Sequence, residues 1–91
     1  MEPQIANRRI GVVAIIVYQP DDVYNRLNDI LHEFSSIIIG RLGLPYRERR
    51  LSIISLIVDG STDEIGAMTG KIGQLPFVSV KASFAKQHYE G

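Results

Sequence analysis

The stretch Gly66–Gly73 reads GAMTGKIG and contains the glycine-lysine step that phosphate-binding loops use. Such a loop needs four residues between its first glycine and the Gly-Lys pair, and then a serine or threonine that holds magnesium. Here three residues separate Gly66 from Gly70, and Ile72 follows Lys71. The spacing and the missing hydroxyl exclude a nucleotide site of this kind.

The same glycines form a stripe when the stretch is read as a helix. Gly66, Gly70 and Gly73 recur at i, i+4 and i+7, away from the apolar set Ile65, Met68, Ile72 and Leu75. A glycine in a helix interior costs roughly 1 kcal/mol relative to alanine, so a reason is expected. One reading is close approach by the other helix or by a neighbouring subunit; the other is that Gly73 caps the helix and the rest are tolerated. We predict that Gly66 and Gly70 lie in an oligomer interface.

Residue types that support catalysis or metal binding are scarce. The chain has no cysteine and two histidines. His32 lies opposite the apolar stripe of its helix, and His88 lies in a polar tail. The acidic pairs Asp21–Asp22 and Asp63–Glu64 fall in helix first turns, where carboxylates stabilise the helix dipole. We therefore predict no catalytic residues, no metal site and no cofactor.

One concentration of positive charge could bind an anion. The segment PYRERR is a polar hairpin loop, expected at the same end of the sheet as the loop after the first strand. Arginines facing a helix N-terminus can hold a carboxylate or phosphate, although such loops are also found solvated, with arginines paired to nearby acids. The candidate effector-binding residues are Gln19, Asp21, Asp22, Arg47 and Arg49.

The chain divides into two similar halves, each of the form strand, helix, strand. IGVVAIIVY is dense in β-branched residues and predicts a strand. Apolar residues then recur at helical spacing from Val23 to Phe34, before the strand SSIIIGRLGL. In the second half, LSIISLIV precedes a helix capped by Ser61 or Thr62 and stopped by Pro76, and FVSVKASF is the last strand. The order predicts an α+β, ferredoxin-like βαββαβ fold, with a four-stranded antiparallel sheet and both helices on one face.

The two central strands are apolar on both of their sides. A sheet with helices on one face should alternate between apolar and polar residues, and this pattern is missing. We therefore expect a second copy of the chain to bury the other face, in a homodimer or homotetramer. The residues assigned to that interface, besides the two glycines, are Val13, Ile15, Val17, Ile54, Leu56 and Val58.

Length and charge limit the classes of protein to which the chain can belong. Ninety-one residues make one small domain, which we place at residues 9–85 between tails at 1–8 and 86–91. Ten basic residues balance ten acidic ones, which argues against a nucleic-acid module. No apolar run approaches the ~20 residues that span a bilayer. We expect a cytoplasmic protein without membrane contact.

Two segments carry a family resemblance that covers the chain from about Arg9 to Lys81. LHEFSSIIIGRLGLPYRE and LSIISLIVDGSTDEIGAMTGKIGQLPFVSVK resemble the iron-only hydrogenase system regulators. The resemblance implies an ACT-like domain, related in shape to the effector domain of the nickel-responsive repressor. It also implies a transcriptional regulator associated with hydrogenase genes.

The resemblance does not carry over the repressor's nickel site or its DNA-binding segment. The repressor's ligands are histidines and a cysteine on and beside its second and third strands, where this chain reads GRLGLPY and LSIIS. About eight residues precede the first strand, too few for a ribbon-helix-helix segment, so we expect no direct DNA binding. We predict a non-catalytic regulatory subunit that acts through a small anionic effector or a partner protein. The alternative is a hydrogenase maturation accessory protein that binds a partner enzyme without an effector.

Overall fold

The elements follow the predicted ferredoxin-like order. The computed structural model describes residues 8–18 and 20–86, and their side chains apart from residues 20–22. In chain order the elements are β1 (Arg8–Tyr18), α1 (Pro20–Glu33), β2 (Ile38–Tyr46), β3 (Leu51–Ser61), α2 (Thr62–Gly73) and β4 (Val78–Phe84). The strands form one sheet in the order β2-β3-β1-β4. The predicted fold class is therefore confirmed.

All strand pairs in the sheet are antiparallel. The central strand β1 pairs with β3 on one side and with β4 on the other, so that Ile15 lies opposite both Ile54 and Val80. The edge strand β2 pairs with β3, and its register shifts between Ile38 and Gly40. This bulge leaves Ile39 highly exposed. Residues directly opposite each other point to the same face, so these registers define both faces of the sheet.

The two helices cover one face of the sheet with the apolar stripes that their spacing predicts. Val23, Leu27 and Leu31 recur at i, i+4 and i+8 on α1 and are buried. Ile65, Met68 and Ile72 recur at i, i+3 and i+7 on α2 and are also buried. The two helices are also joined at the surface, where Lys71 Nζ lies 2.8 Å from a carboxylate oxygen of Glu33. Because each helix buries its apolar stripe on the same side, the opposite face of the sheet receives no helix.

A capping box starts α2 and decides between the two predicted caps. The amide of Glu64 donates to Ser61 Oγ at 3.0 Å, and the amide of Ser61 donates to Glu64 Oε1 at 3.0 Å. Ser61 is therefore the N-cap, and Thr62 is the first residue of the helix. Asp63 and Glu64 occupy the first turn, as expected for acidic residues at the positive end of the helix dipole.

Several element boundaries differ from the sequence expectation, and Pro45 and Tyr46, expected in the hairpin loop, belong to β2. Residues 35–37 form a 3-10 turn, so β2 begins at Ile38. Strand β3 continues to Ser61 because its last residues still pair with β1. Phe77, expected in the last strand, has a φ of 61° and belongs to the turn before β4. At the chain ends, Arg8 belongs to β1 rather than to the predicted tail, and the rest of that tail lies outside the described residues. Of the second tail only Lys86 is described, outside any regular element.

The assignment of six strand residues to an oligomer interface is wrong. The side chains of these residues point at the helices and are 0% exposed; they are Val13, Ile15, Val17, Ile54, Leu56 and Val58. They form the core of the chain together with the apolar stripes of both helices. The other side chains of the same strands occupy the face without helices. Both sets are apolar, so the sequence pattern alone does not show which set the helices cover.

Removing the cap of α2 should measurably destabilise the protein. Ser61→Ala deletes the oxygen that accepts the Glu64 amide, and we expect a loss of about 1 kcal/mol in the free energy of unfolding. Urea unfolding followed by circular dichroism measures the difference. Thr62→Ala is the matched control and should change stability by less than about 0.5 kcal/mol. Equal effects of the two substitutions would contradict the assignment of Ser61 as the cap.

Candidate functional site

The face of the sheet without helices is a largely apolar surface, with Ser55 as the polar residue in its middle row. We call it the open sheet face and define it by Val12, Ile16, Leu42, Leu44, Ile53 and Ile57. The register aligns Val12 with Ile57, and Ile16 with Ile53 and Leu44, across three strands. Leu42 is 70% exposed, Leu44 55% and Val12 47%. Solvent-exposed apolar side chains in such a contiguous group mark an interaction surface on soluble proteins.

Polar residues border the open sheet face on two sides. At one end, Arg8 Nη2 lies 2.9 Å from Asp59 Oδ2, and this ion pair neutralises both charges. Along the β4 edge, Ser79, Lys81 and Ser83 lie opposite Ile16, Ala14 and Val12 and share their face. Apart from Ser55, the surface therefore has an apolar centre, and it has a polar rim, which is the arrangement of protein–protein interfaces.

The glycines of α2 lie in open space rather than against the other helix. A side chain at Gly66 or Gly70 would meet no atom of the described structure within 4 Å. The reading in which α1 approaches these glycines is therefore wrong, and their place in an interface between subunits stays a prediction. Gly73 differs, because a Cβ there would lie 3.6 Å from Val80 Cγ1. Gly73 therefore faces β4. The helical spacing had instead suggested that it points away from the sheet.

The predicted effector-binding residues are only partly described. Arg47 and Arg49 lie in a 3-10 turn between β2 and β3 and are exposed. Asp21 and Asp22 belong to the first turn of α1, their side chains lie outside the described residues, and so does Gln19. The amide of Tyr18 donates to the carbonyl of Phe77 at 2.7 Å, and Tyr18 pairs with Leu51. The end of β1, the turn before β4 and the start of β3 after the hairpin therefore share one end of the sheet. A ligand role there stays a prediction.

A pocket between α1 and β2 was not anticipated from the sequence. It has a volume of about 440 Å³ and is lined by Asn28, Leu31, His32, Ser35, Ile38 and Arg41. Arg41 Nη2 donates a hydrogen bond to Asn28 Oδ1 at 2.9 Å, which links the edge strand to the helix. The signal in the sequence was the polar set Asn28, His32 and Ser35 at i, i+4 and i+7, beside the apolar stripe. His32 is exposed as expected, but it borders this pocket rather than open solvent alone.

The described residues provide no cluster of three histidine or carboxylate side chains that could hold a metal ion. His88 lies outside them. Glu64 is engaged in the capping box with Ser61. In the described part of the chain no helix is long and apolar enough to cross a membrane.

The fold and the single covered face define an ACT-like domain. The crystal structure of a "putative glycine cleavage system transcriptional repressor" superposes with a TM-score of 0.63 at 10% identity, covering 92% of this chain and 49% of that one. A formyltetrahydrofolate deformylase from Pseudomonas putida KT2440 gives 0.60 at 8% identity, over 87% of this chain and 29% of the other. At these identities the likeness concerns the fold alone.

The chain belongs to the TM1266-like family, described as "Iron-only hydrogenase system regulator, putative", which matches residues 9–82. The structure of the uncharacterized protein TM1266 from Thermotoga maritima shares 38% identity with it and a TM-score of 0.84. That match covers 87% of this chain and 99% of the other. No curated protein matches the chain significantly. The resemblance drawn from the sequence is therefore confirmed.

The exposed glycines give a direct test of close packing on α2. In an isolated subunit, Gly70→Ala should raise the free energy of unfolding by up to about 1 kcal/mol, because alanine is the better helix former and meets no atom. Thermal unfolding at low and high protein concentration separates two cases. Stabilisation at both concentrations would show that Gly70 does not lie in an interface. Stabilisation only at low concentration, together with weaker self-association, places it in one. Gly43→Ala, also in open space but on β2, is the control.

Proposed function

We propose that this chain is a non-catalytic regulatory subunit of the iron-only hydrogenase system, assembled through the open sheet face and acting through a small effector or a partner protein. The observation that carries the proposal is the open sheet face itself. Family membership supports the link to the hydrogenase system. The balanced charge of ten basic and ten acidic residues supports an action on transcription through another protein rather than through DNA. The cytoplasmic location stays a prediction.

The size of the open sheet face suits a stable interface. The strands β1, β2 and β3 have 9 to 11 residues each and lie about 4.8 Å apart. Together with the β4 edge they present a flat area on the order of 500 Å². Protruding side chains such as Leu42 raise the accessible area towards the roughly 800 Å² per partner of typical stable complexes. A face of this size left in water would be unusual for a monomer.

A second copy of the chain is the occupant that the face fits best. A two-fold interface brings the same patch of both subunits together, so the patch must complement itself. The open sheet face meets this condition because its centre is apolar apart from the uncharged Ser55 and its ion pair Arg8–Asp59 is already neutral. Lys81 lies on the outer strand β4, opposite Ala14, where its long side chain can reach solvent at the sheet edge. Two such sheets can stack about 10 Å apart and interdigitate their side chains, as in a β-sandwich.

A charge placed at the centre of the open sheet face should dissociate the assembly. Ile57 lies opposite both Val12 and Gly40, and its side chain is 44% exposed. Ile57→Lys would bury an unpaired ammonium group in a stacked interface, so we expect the dissociation constant of the oligomer to rise at least about 100-fold. Sedimentation velocity at micromolar concentration measures the change, with circular dichroism as a check of folding.

Asn25→Lys is the matched control, since it adds the same charge on an exposed position of α1. It should leave the assembly unchanged. A monomeric wild-type chain at micromolar concentration, or an Ile57→Lys variant that still associates, would contradict the proposal. A wild-type monomer that associates only with a hydrogenase maturation enzyme would instead favour the accessory role.

The regulatory role is separable from the accessory role in the source organism. Deletion of the gene should change the level of hydrogenase transcripts if the chain is a regulator. Unchanged transcripts with reduced hydrogenase activity would point to a role in maturation. Reintroducing Ile57→Lys should fail to restore transcript levels, whereas Asn25→Lys should restore them.

A further inference from the structure

We infer that the pocket between α1 and β2 binds a small organic carboxylate with a short apolar tail. Describing this ligand as the effector rests on the proposed function, but the binding itself does not. The inference depends on an arginine without an acidic partner in the described structure, on the apolar surface beside it, and on the wall that α1 forms along one side of this open pocket.

Arg41 supplies the charge that would recognise the ligand. It lies opposite Leu56 on β2, so its side chain is on the helix side of the sheet, at an edge strand. Its guanidinium carries five N–H groups, of which one donates to Asn28 Oδ1 at 2.9 Å. This bond holds the side chain against α1 and leaves further donors for an anion.

No carboxylate in the described part of the chain neutralises Arg41. The ion pairs found there join Arg8 to Asp59 and Lys71 to Glu33. An arginine held in place by a neutral amide keeps its full charge, and a carboxylate is the anion whose two oxygens match the guanidinium fork. Asn28, His32 and Ser35 add polar groups around the same opening.

The rest of the pocket favours an apolar tail on the ligand. Leu31 is 3% exposed, Ile38 is half-buried, and both line the pocket. The volume of about 440 Å³ lies in the range of roughly 300 to 1,000 Å³ seen for small-molecule sites. Inorganic phosphate would leave this apolar surface in contact with water. A branched or aromatic carboxylate would cover it while its charged end meets Arg41.

The pocket is separate from the hairpin at which the sequence placed an effector. Arg47 and Arg49 are exposed in the turn that joins β2 to β3, whereas Arg41 pairs with Leu56 further along the strand. An anion at the hairpin would contact Arg47 and Arg49, whereas one in the pocket would contact Arg41. The two sites therefore make different predictions for the same substitutions.

Binding can be measured by nuclear magnetic resonance on the full chain labelled with nitrogen-15. The probes are 4-methylpentanoate and phenylacetate, with 4-methylpentanamide as the uncharged analogue and inorganic phosphate as the anion without a tail. We expect both carboxylates to shift the amide signals of α1 and β2 around the pocket, and the amide and phosphate to bind at least tenfold more weakly. Arg41→Gln should weaken carboxylate binding at least tenfold.

Two matched variants complete the experiment. Arg26→Gln removes an arginine of α1 that does not line the pocket, and Arg49→Gln removes one from the hairpin. Both should leave carboxylate binding unchanged.

Three results would overturn the inference. One is the absence of shifts at about 10 mM carboxylate, tenfold above a weak dissociation constant of ~1 mM. The second is equal binding of the amide, and the third is a larger effect of Arg49→Gln than of Arg41→Gln. Sedimentation of the same samples reports the assembly independently, so a chain that associates without binding carboxylate overturns this inference and leaves the proposed function standing.

Discussion

The structure depends on one constraint: the central strands are apolar on both faces of the sheet, and the helices cover only one face. The two central strands carry β-branched and aliphatic side chains on both of their sides, while both helices pack on the same side. One set of these side chains is completely buried and forms the core. The other set, which includes Val12 and Ile57, remains in contact with water. The free energy gained by hydrophobic burial is roughly proportional to the apolar area removed from water. A subunit built this way therefore has apolar surface whose burial would stabilise it further.

Two candidate surfaces use the same edge strand from opposite sides. Arg41 lines the pocket on the helix side, and its neighbour Leu42 projects from the open sheet face. A strand offers alternate residues to its two faces, so a shift of β2 would move both surfaces together. If a ligand in the pocket prefers one position of the strand, then assembly and binding must influence each other by the same factor.

Much of the fold was predictable because local patterns and global order agree. Strand and helix periods, the acidic first turns and Pro76 all indicate the same βαββαβ arrangement, although the sequence left the cap of α2 open between Ser61 and Thr62. Which face of the sheet the helices cover was not predictable in the same way. Val13 and Val12 are the same residue type at adjacent positions, and only the packing of the helices makes one core and the other surface. The pocket was missed because Arg41 and Asn28 are distant in sequence and meet only once α1 lies along the edge strand.

The edges of the sheet bear on the size that an assembly can reach. Strand β2 contains a bulge at Ile39 and includes Pro45, which offers no amide hydrogen, and β4 carries Lys81. Bulges, prolines and lysines on outer strands oppose the pairing of one chain's edge with another's. Subunits that join by stacking faces, and are discouraged from joining edge to edge, form closed particles rather than growing ribbons.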